Sequence, residues 1–186
     1  MLQFFYFCAM ATSSLYFIAI APNSELSSEI KAFSKDFADR FESVKSWKNF
    51  PHITIIPPFW SKVENEEQLL ETFSNLPLTT KSFELKLLGF DCFDNKNNPV
   101  IFLKPEQKPE LFHLAAELKN YYTPEKTNFK PHLTVAFRDL TRENFEKAWK
   151  EYSQKEFTAE FLVEKVGLYK HFDGKWNLVA SNYLKE

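Results

Sequence analysis

The chain has little cysteine and almost no net charge, and each scarcity removes a class of function. Its cysteines, Cys8 and Cys92, form no motif spacing, and its 4 histidines are not set among clustered cysteines. Neither a disulfide framework nor a tetrahedral Cys–His zinc site is therefore supported. Cysteine used in this way points to a reducing compartment, so a cytoplasmic location is expected. A net charge of −2 argues against coating nucleic acid by bulk electrostatics, but leaves room for a small anionic ligand held locally. No charged residue occurs before Glu25, whereas a secretory signal would want Lys or Arg within Met1–Met10. Thr12-Ser13-Ser14 interrupts the apolar run well short of the ~20 residues of a membrane span. Cleavage after Ala19-Ile20-Ala21, formally a small-residue site, would remove a strand that the internal repeat described below requires. Residues 1–9 read instead as an upstream extension with Met10 as the natural start, and no membrane association is expected.

What is present is a bulky core. A chain of 186 residues with 21 Phe can bury roughly 70% of its unfolded surface as one domain or two intimately packed lobes, which excludes disorder. Residues 15–21 read as a buried strand. Asn23 or Ser24 then caps a helix whose apolar positions Leu26, Ile30, Phe33, Phe37 and Phe41 recur at helical spacing. A strand over 52–56 is expected to stop at Pro57-Pro58. There follow a helix over 64–76, a strand over 81–90, a polar turn at 94–98, a strand over 100–103 and a helix over 109–121. A strand over 132–137 and a helix opened by Thr141-Arg142-Glu143 come next. Residues 157–169 and 176–180 are expected to form a closing hairpin around Asp173-Gly174.

Two of these strands repeat one pattern. Pro51-His52-Ile53-Thr54-Ile55 and Pro131-His132-Leu133-Thr134-Val135 stand 80 residues apart. Strand side chains alternate faces, so in each copy His and Thr point one way and the aliphatics the other. A single strand histidine is ordinarily a satisfied structural residue, but a duplicate in matching surroundings is not so easily explained. The surroundings do match. Phe83 and Gly89 are six apart, as are Phe161 and Gly167, and the run Tyr16–Pro22 has its counterpart in Val100–Pro105. Each half thus reads as strand, helix, His-x-Thr strand, helix, and long strand ending near Gly. The expected class is α+β: a duplicated bilobal fold of two mainly antiparallel sheets backed by helices, with a central cleft and pseudo-repeat lobes built around 15–99 and 100–186.

Displacement at an anionic centre needs a base for the attacking oxygen and an acid for the departing one. Imidazole, with an unperturbed pKa of about 6.5, serves both roles near neutral pH. Two imidazoles flanking such a centre suit in-line displacement, and the Thr54 and Thr134 hydroxyls would donate hydrogen bonds to its remaining oxygens. No carboxylate cluster is apparent, so neither a metal nor another cofactor is called for.

His52-Ile53-Thr54-Ile55 and His132-Leu133-Thr134-Val135, within this pseudo-repeat, resemble the paired His-x-Thr/Ser-x motifs of the 2H phosphoesterase superfamily. The group is that of 2′-5′ RNA ligases and cyclic phosphodiesterases, and the likeness extends from Leu15 to the last strand. Bacterial 2′-5′ RNA ligase-like proteins also read much like the run from Lys130 to Leu140. The resemblance implies a metal-independent phosphoesterase, active as a monomer. It would hydrolyse 2′,3′-cyclic phosphate ends of RNA or nucleotides, or break or reversibly make 2′-5′ linkages, with His52, His132, Thr54 and Thr134 catalytic.

Secondary contacts rest on weaker patterns. Arg138 shares the parity of His132 and Thr134, so on a continuing strand it would reach the phosphate; otherwise it would be a solvated strand end paired with Asp139. Phe59, Trp60 or Phe137 would stack a base, with core packing favoured for Phe137 by its parity. Tyr169 and His171 would line the cleft from the closing hairpin, unless His171 is an exposed turn residue, and His113 reads as structural. Two alternatives stay open: a non-catalytic module binding RNA or nucleotides in the same cleft, and a metal-dependent hydrolase using the histidines as ligands.

Overall fold

The computed structural model describes residues 13–122 and 128–186; the expected extension over residues 1–9, Met10 and Cys8 lie outside them. Its elements run β1 (Ser13–Ile20), α1 (Ser24–Phe41), β2 (Ile53–Lys62), α2 (Glu66–Ser74), β3 (Phe83–Phe93), β4 (Val100–Pro105), α3 (Pro109–Tyr122), β5 (Leu133–Ala136), α4 (Arg142–Tyr152), β6 (Thr158–Val163), β7 (Lys165–Phe172) and β8 (Lys175–Tyr183). Local chemistry accounts for the helix starts. The Asn23 side chain accepts from the Leu26 N–H, and Thr141 accepts from that of Asn144. Helix α1 stops where Glu42 turns left-handed, at φ 58°.

The strands form one sheet of eight in the order β6-β3-β4-β5-β2-β1-β7-β8, every neighbouring pair antiparallel. This corrects the expectation of two sheets. The two half-sheets join where β2 and β5 meet, through the single register pair Ile53↔Leu133. Each half-sheet also mixes strands from both halves of the sequence. Strand β3 pairs with β4, while β7, from the second half, pairs with β1. The stretches 15–99 and 100–186 are therefore interleaved in the sheet. Helix α1 lies against β5 and α3 against β2, while α2 packs on β8 and α4 on β4. One contiguous core runs beneath, from Tyr16, Ile18 and Ile30 through Ile53, Leu103 and Leu133 to Val166 and Leu168.

Three boundaries differ from the sequence reading. Strand β2 continues through Pro57-Pro58 to Lys62. Its register on β1 shifts there, from Ile18↔Ile56 to Tyr16↔Phe59, so both prolines fall in a bulge where no ladder N–H is needed. The stretch 157–169 is not one hairpin arm. It divides at Glu164 into β6, on the β3 edge, and β7, beside β1, because Leu85 and Leu87 on one side and Ile18 on the other each claim a partner from it. Finally, neither glycine ends its strand. Gly89, at φ +70°, sits at the register shift of β3 against β4. At Gly167 a β-carbon would fall 2.7 Å from Leu178 Cδ1 and 2.8 Å from Tyr169 Cε2, so only hydrogen fits under the Tyr169 ring. The closing hairpin over Asp173-Gly174 is present, with φ of 51° and 70° at those residues.

The β2–β5 junction predicts its own sensitivity. Leu133 is 0% exposed and forms half of the single pair joining the half-sheets. Leu133→Ala should lower the unfolding free energy by about 3 kcal/mol in urea denaturation; a loss under about 1 kcal/mol would show that the junction tolerates a cavity.

Candidate active site

The alternation read in the motifs holds in three dimensions. Ile53, Ile55, Leu133 and Val135 are all buried in the core, while His52, Thr54, His132 and Thr134 are half-buried on the other face. With Ile53 opposite Leu133 on antiparallel strands, His52 falls beside Thr134, and Thr54 beside His132. The imidazoles thus occupy one diagonal of a four-residue patch, a spacing of roughly 7–8 Å between regular strands. All four line one cleft of about 500 Å³. Thr54 and His132 also line a smaller adjoining recess of about 380 Å³, which carries Phe93, Phe129, Lys119 and Lys130.

The rings are held alike. His52 Nδ1 lies 2.8 Å from the Phe50 carbonyl oxygen, and His132 Nδ1 lies 2.8 Å from that of Lys130. A carbonyl only accepts, so Nδ1 carries the proton in both neutral rings and Nε2 is left as the basic atom. Burial depresses the pKa of His52 below 6.5, with the Phe50 hydrogen bond opposing and the nearby His132 charge adding to the depression. Burial likewise lowers His132, against its bond to Lys130. Around His52 the wall is aromatic. Phe50 stacks on Tyr169 with centroids 4.5 Å apart, and Phe17 meets Trp176 edge-on at 4.5 Å and His52 at 5.0 Å.

The other nominated residues divide. Arg138 lines the cleft, though not by strand parity: β5 ends at Ala136, and Arg138 takes φ 62° as the centre of a turn in which the Asp139 N–H reaches Phe137 O at 2.8 Å. Its guanidinium lies 5.2 Å from the centroid of the Phe137 ring, and among the described residues it has no carboxylate partner. The end of the strand also places Phe137 on the cleft wall instead of in the core. Tyr169 does not line the cleft. It is packed behind Phe50 and Phe17, and burial pushes its pKa up to about 12. Phe59 is not in the cleft either, because the bulge turns it onto Tyr16 and Tyr122 at 6.0 and 5.5 Å. Trp60 is 69% exposed and outside it too. His171 reaches the rim against Trp176, and His113 is structural, bonded to the Thr80 hydroxyl at 3.0 Å.

Several site residues carried no sequence signal. Phe17, Phe50, Trp176, Ser34, Ser46 and Asn49 line the cleft from four separate segments. Asp139 does not pair with Arg138. Its carboxylate accepts from the Ser43 hydroxyl at 2.9 Å and from the Val44 and Lys45 N–H groups at 3.0 Å each. It thereby ties the loop that carries Phe50 to the end of β5. Among the described residues no three His, Cys, Asp or Glu side chains converge as a metal site, and no helix is long and apolar enough to cross a membrane.

Comparison with known proteins bears on what this cleft is. Residues 21–175 match the sequence model of the 2′-5′ RNA ligase superfamily. A phosphoesterase candidate of Bacillus mycoides is 27% identical over 170 residues, covering 90% of this chain and 95% of that protein. Another, from Bacillus cereus, is 30% identical over 120 residues, 63% of this chain and 66% of that one. The fold is similar to that of Escherichia coli LigT, with a TM-score of 0.66 at 16% identity over 95% of this chain and 100% of that one. It is also similar to TT0787 of Thermus thermophilus, with a TM-score of 0.61 at 17% identity over 92% and 98% of the two chains.

The histidine geometry has a spectroscopic consequence. Nitrogen-15 and proton NMR should show both rings as Nδ1–H tautomers at pH 8, titrating with midpoints below 6.5. Between those midpoints and 6.5 the unfolded chain binds more protons than the folded one, so stability should fall as the pH drops through that window. A midpoint above 6.5 in the free protein would contradict the burial argument.

Proposed function

Since the chain belongs to the 2′-5′ RNA ligase superfamily, we propose that it is a phosphoesterase acting on 2′,3′-cyclic phosphate ends of RNA or nucleotides, or on 2′-5′ linkages, through His52 and His132. The observation that carries this reading is the diagonal pair of imidazoles, each with Nδ1 tied to a backbone carbonyl and Nε2 free, beside two threonine hydroxyls in one cleft. For hydrolysis, one neutral imidazole takes a proton from water as the water oxygen bonds to phosphorus. The bond to the ribose oxygen breaks, and the other ring, protonated, gives that oxygen its proton. The same transfers, with the 5′-hydroxyl of another ribose in place of water, bond that oxygen to phosphorus as the 3′ oxygen leaves and so join ends in the 2′-5′ sense; their reverse breaks that linkage. Thr54 and Thr134 donate to the non-bridging oxygens, and Arg138 supplies a charge for the phosphate. The cleft and its adjoining recess both have Thr54 and His132 in their walls, which supports a ligand that extends beyond the phosphate. That E. coli LigT has been crystallised with 3′-AMP and with phosphate agrees with this class of ligand.

Turnover of a panel of cyclic nucleotides, oligoribonucleotides and 2′-5′ oligomers in EDTA tests the reading. His52→Ala or His132→Ala should each cost about 100-fold or more, and Thr54→Val or Thr134→Val about 100-fold with the fold intact. Retention of near-normal rates by either histidine variant would exclude the acid–base pair.

Both rings are depressed in the free protein, and kcat/KM reports the free protein's groups. The kcat/KM profile should therefore be a bell peaking below about pH 6.5, with the kcat bell displaced upward by the bound phosphate. A monotonic profile would remove one of the two roles.

A further inference from the structure

A row of side chains crosses the sheet at one end of the cleft. Trp60 on β2 stands opposite Leu15 on β1, Leu15 opposite His171 on β7, and His171 opposite Trp176 on β8. Residues directly opposite on antiparallel strands share a face. Leu15, His171 and Trp176 line the cleft, so Trp60 stands on the cleft's face of the sheet, beside Leu15 and just outside the cleft itself. Its neighbour Phe59 takes the other face, against Tyr16. At 69% exposure Trp60 is the most exposed large apolar side chain among the described residues. An indole so exposed adds little to the core, and its ring faces are open to a ligand. His171 and Trp176 are already in edge contact, with centroids 4.9 Å apart.

Distance along β1 decides what part of a ligand meets this row. Ala19 stands opposite Thr54, and Leu15 lies four residues away on the same strand, about 13 Å at ~3.4 Å per residue. Phe17, halfway between, lines the cleft. The row carries no acidic side chain to repel a phosphodiester, and it is continuous with the patch of histidines and threonines. Building on the function proposed above, we infer that Trp60 stacks the second base of a single-stranded oligoribonucleotide whose terminal phosphate occupies that patch. The first nucleotide lies within the cleft at the level of Phe17, and the chain leaves over Leu15 onto the indole. Stacking of this kind tolerates any base, since every base has a π-face. The substrate class is therefore an oligonucleotide, with a mononucleotide as its truncated form.

The test compares 2′,3′-cyclic CMP with a trinucleotide ending in the same cyclic CMP. The kcat/KM for the trinucleotide should be higher by at least ~5-fold, the effect of one stacked base. Trp60→Ala and Trp60→Gln should each bring that ratio towards one while leaving the mononucleotide rate and Tm unchanged, and Trp60→Phe should keep most of it. Equal handling of the two substrates by the unaltered protein would overturn the inference, as would a ratio that survives both Trp60→Ala and Trp60→Gln. A dimer in sedimentation that Trp60→Ala dissolves, with the ratio kept, would assign the row to a second copy of the chain and overturn it too. If no cyclic phosphate is turned over, the catalytic reading fails and the row is judged by tryptophan fluorescence. A trinucleotide with a 3′-phosphate should then quench emission that Trp60→Phe removes, and 3′-CMP should not. No such quenching by the trinucleotide, or equal quenching by both, would overturn the inference.

Discussion

The fold and the site meet in the pairing of Ile53 with Leu133. These aliphatics are buried because the core demands apolar surface on that face. Strand alternation then leaves each flanking His and Thr no choice but the other face. Because the strands are antiparallel and cross at this pair, each histidine is set beside the other strand's threonine, with the two imidazoles across the diagonal. The cleft is thus a by-product of how two half-sheets are sewn together. Few ladder bonds cross the junction, which keeps it open on the polar face.

Electrostatics sharpen what packing begins. Burial disfavours imidazolium in both rings, while carbonyl partners at Phe50 and Lys130 fix which nitrogen bears the proton. The two effects together favour the neutral form of both rings with the proton on Nδ1. Arg138 lines the cleft with no carboxylate partner among the described residues, in a left-handed turn that follows the end of β5. Asp139 then anchors the loop bearing the aromatic and polar wall. One short stretch, from His132 to Asp139, therefore supplies a histidine, a hydroxyl, a cation and a clamp.

Much of this was legible in the residues. The helix caps, the closing turn and the faces of the His-x-Thr strands follow from local rules that neighbours do not override, and two matching motifs announced themselves as a pair. What local rules misjudged were positions where tertiary context intervened. Pro57-Pro58 marks a strand end only if every N–H in the strand must pair, and a bulge removed that need. Tyr169 and Phe59 have the aromatic chemistry of base-stacking residues, but each is committed to other rings, Tyr169 behind the wall it was expected to form. Parity failed for Arg138 and Phe137 because the strand that defined it stops at Ala136.

Which side chains of the two motif strands share a face was readable from the residues alone, since alternation along an extended chain is a property of the backbone. Only the tertiary structure decided that a single sheet interleaves both halves of the chain. It alone decided that Phe17, Phe50, Trp176, Ser46 and Asn49 gather around the histidines. Those residues come from segments far apart in the chain, and what brings them together is the burial of the remaining core, a many-body constraint that no local pattern encodes.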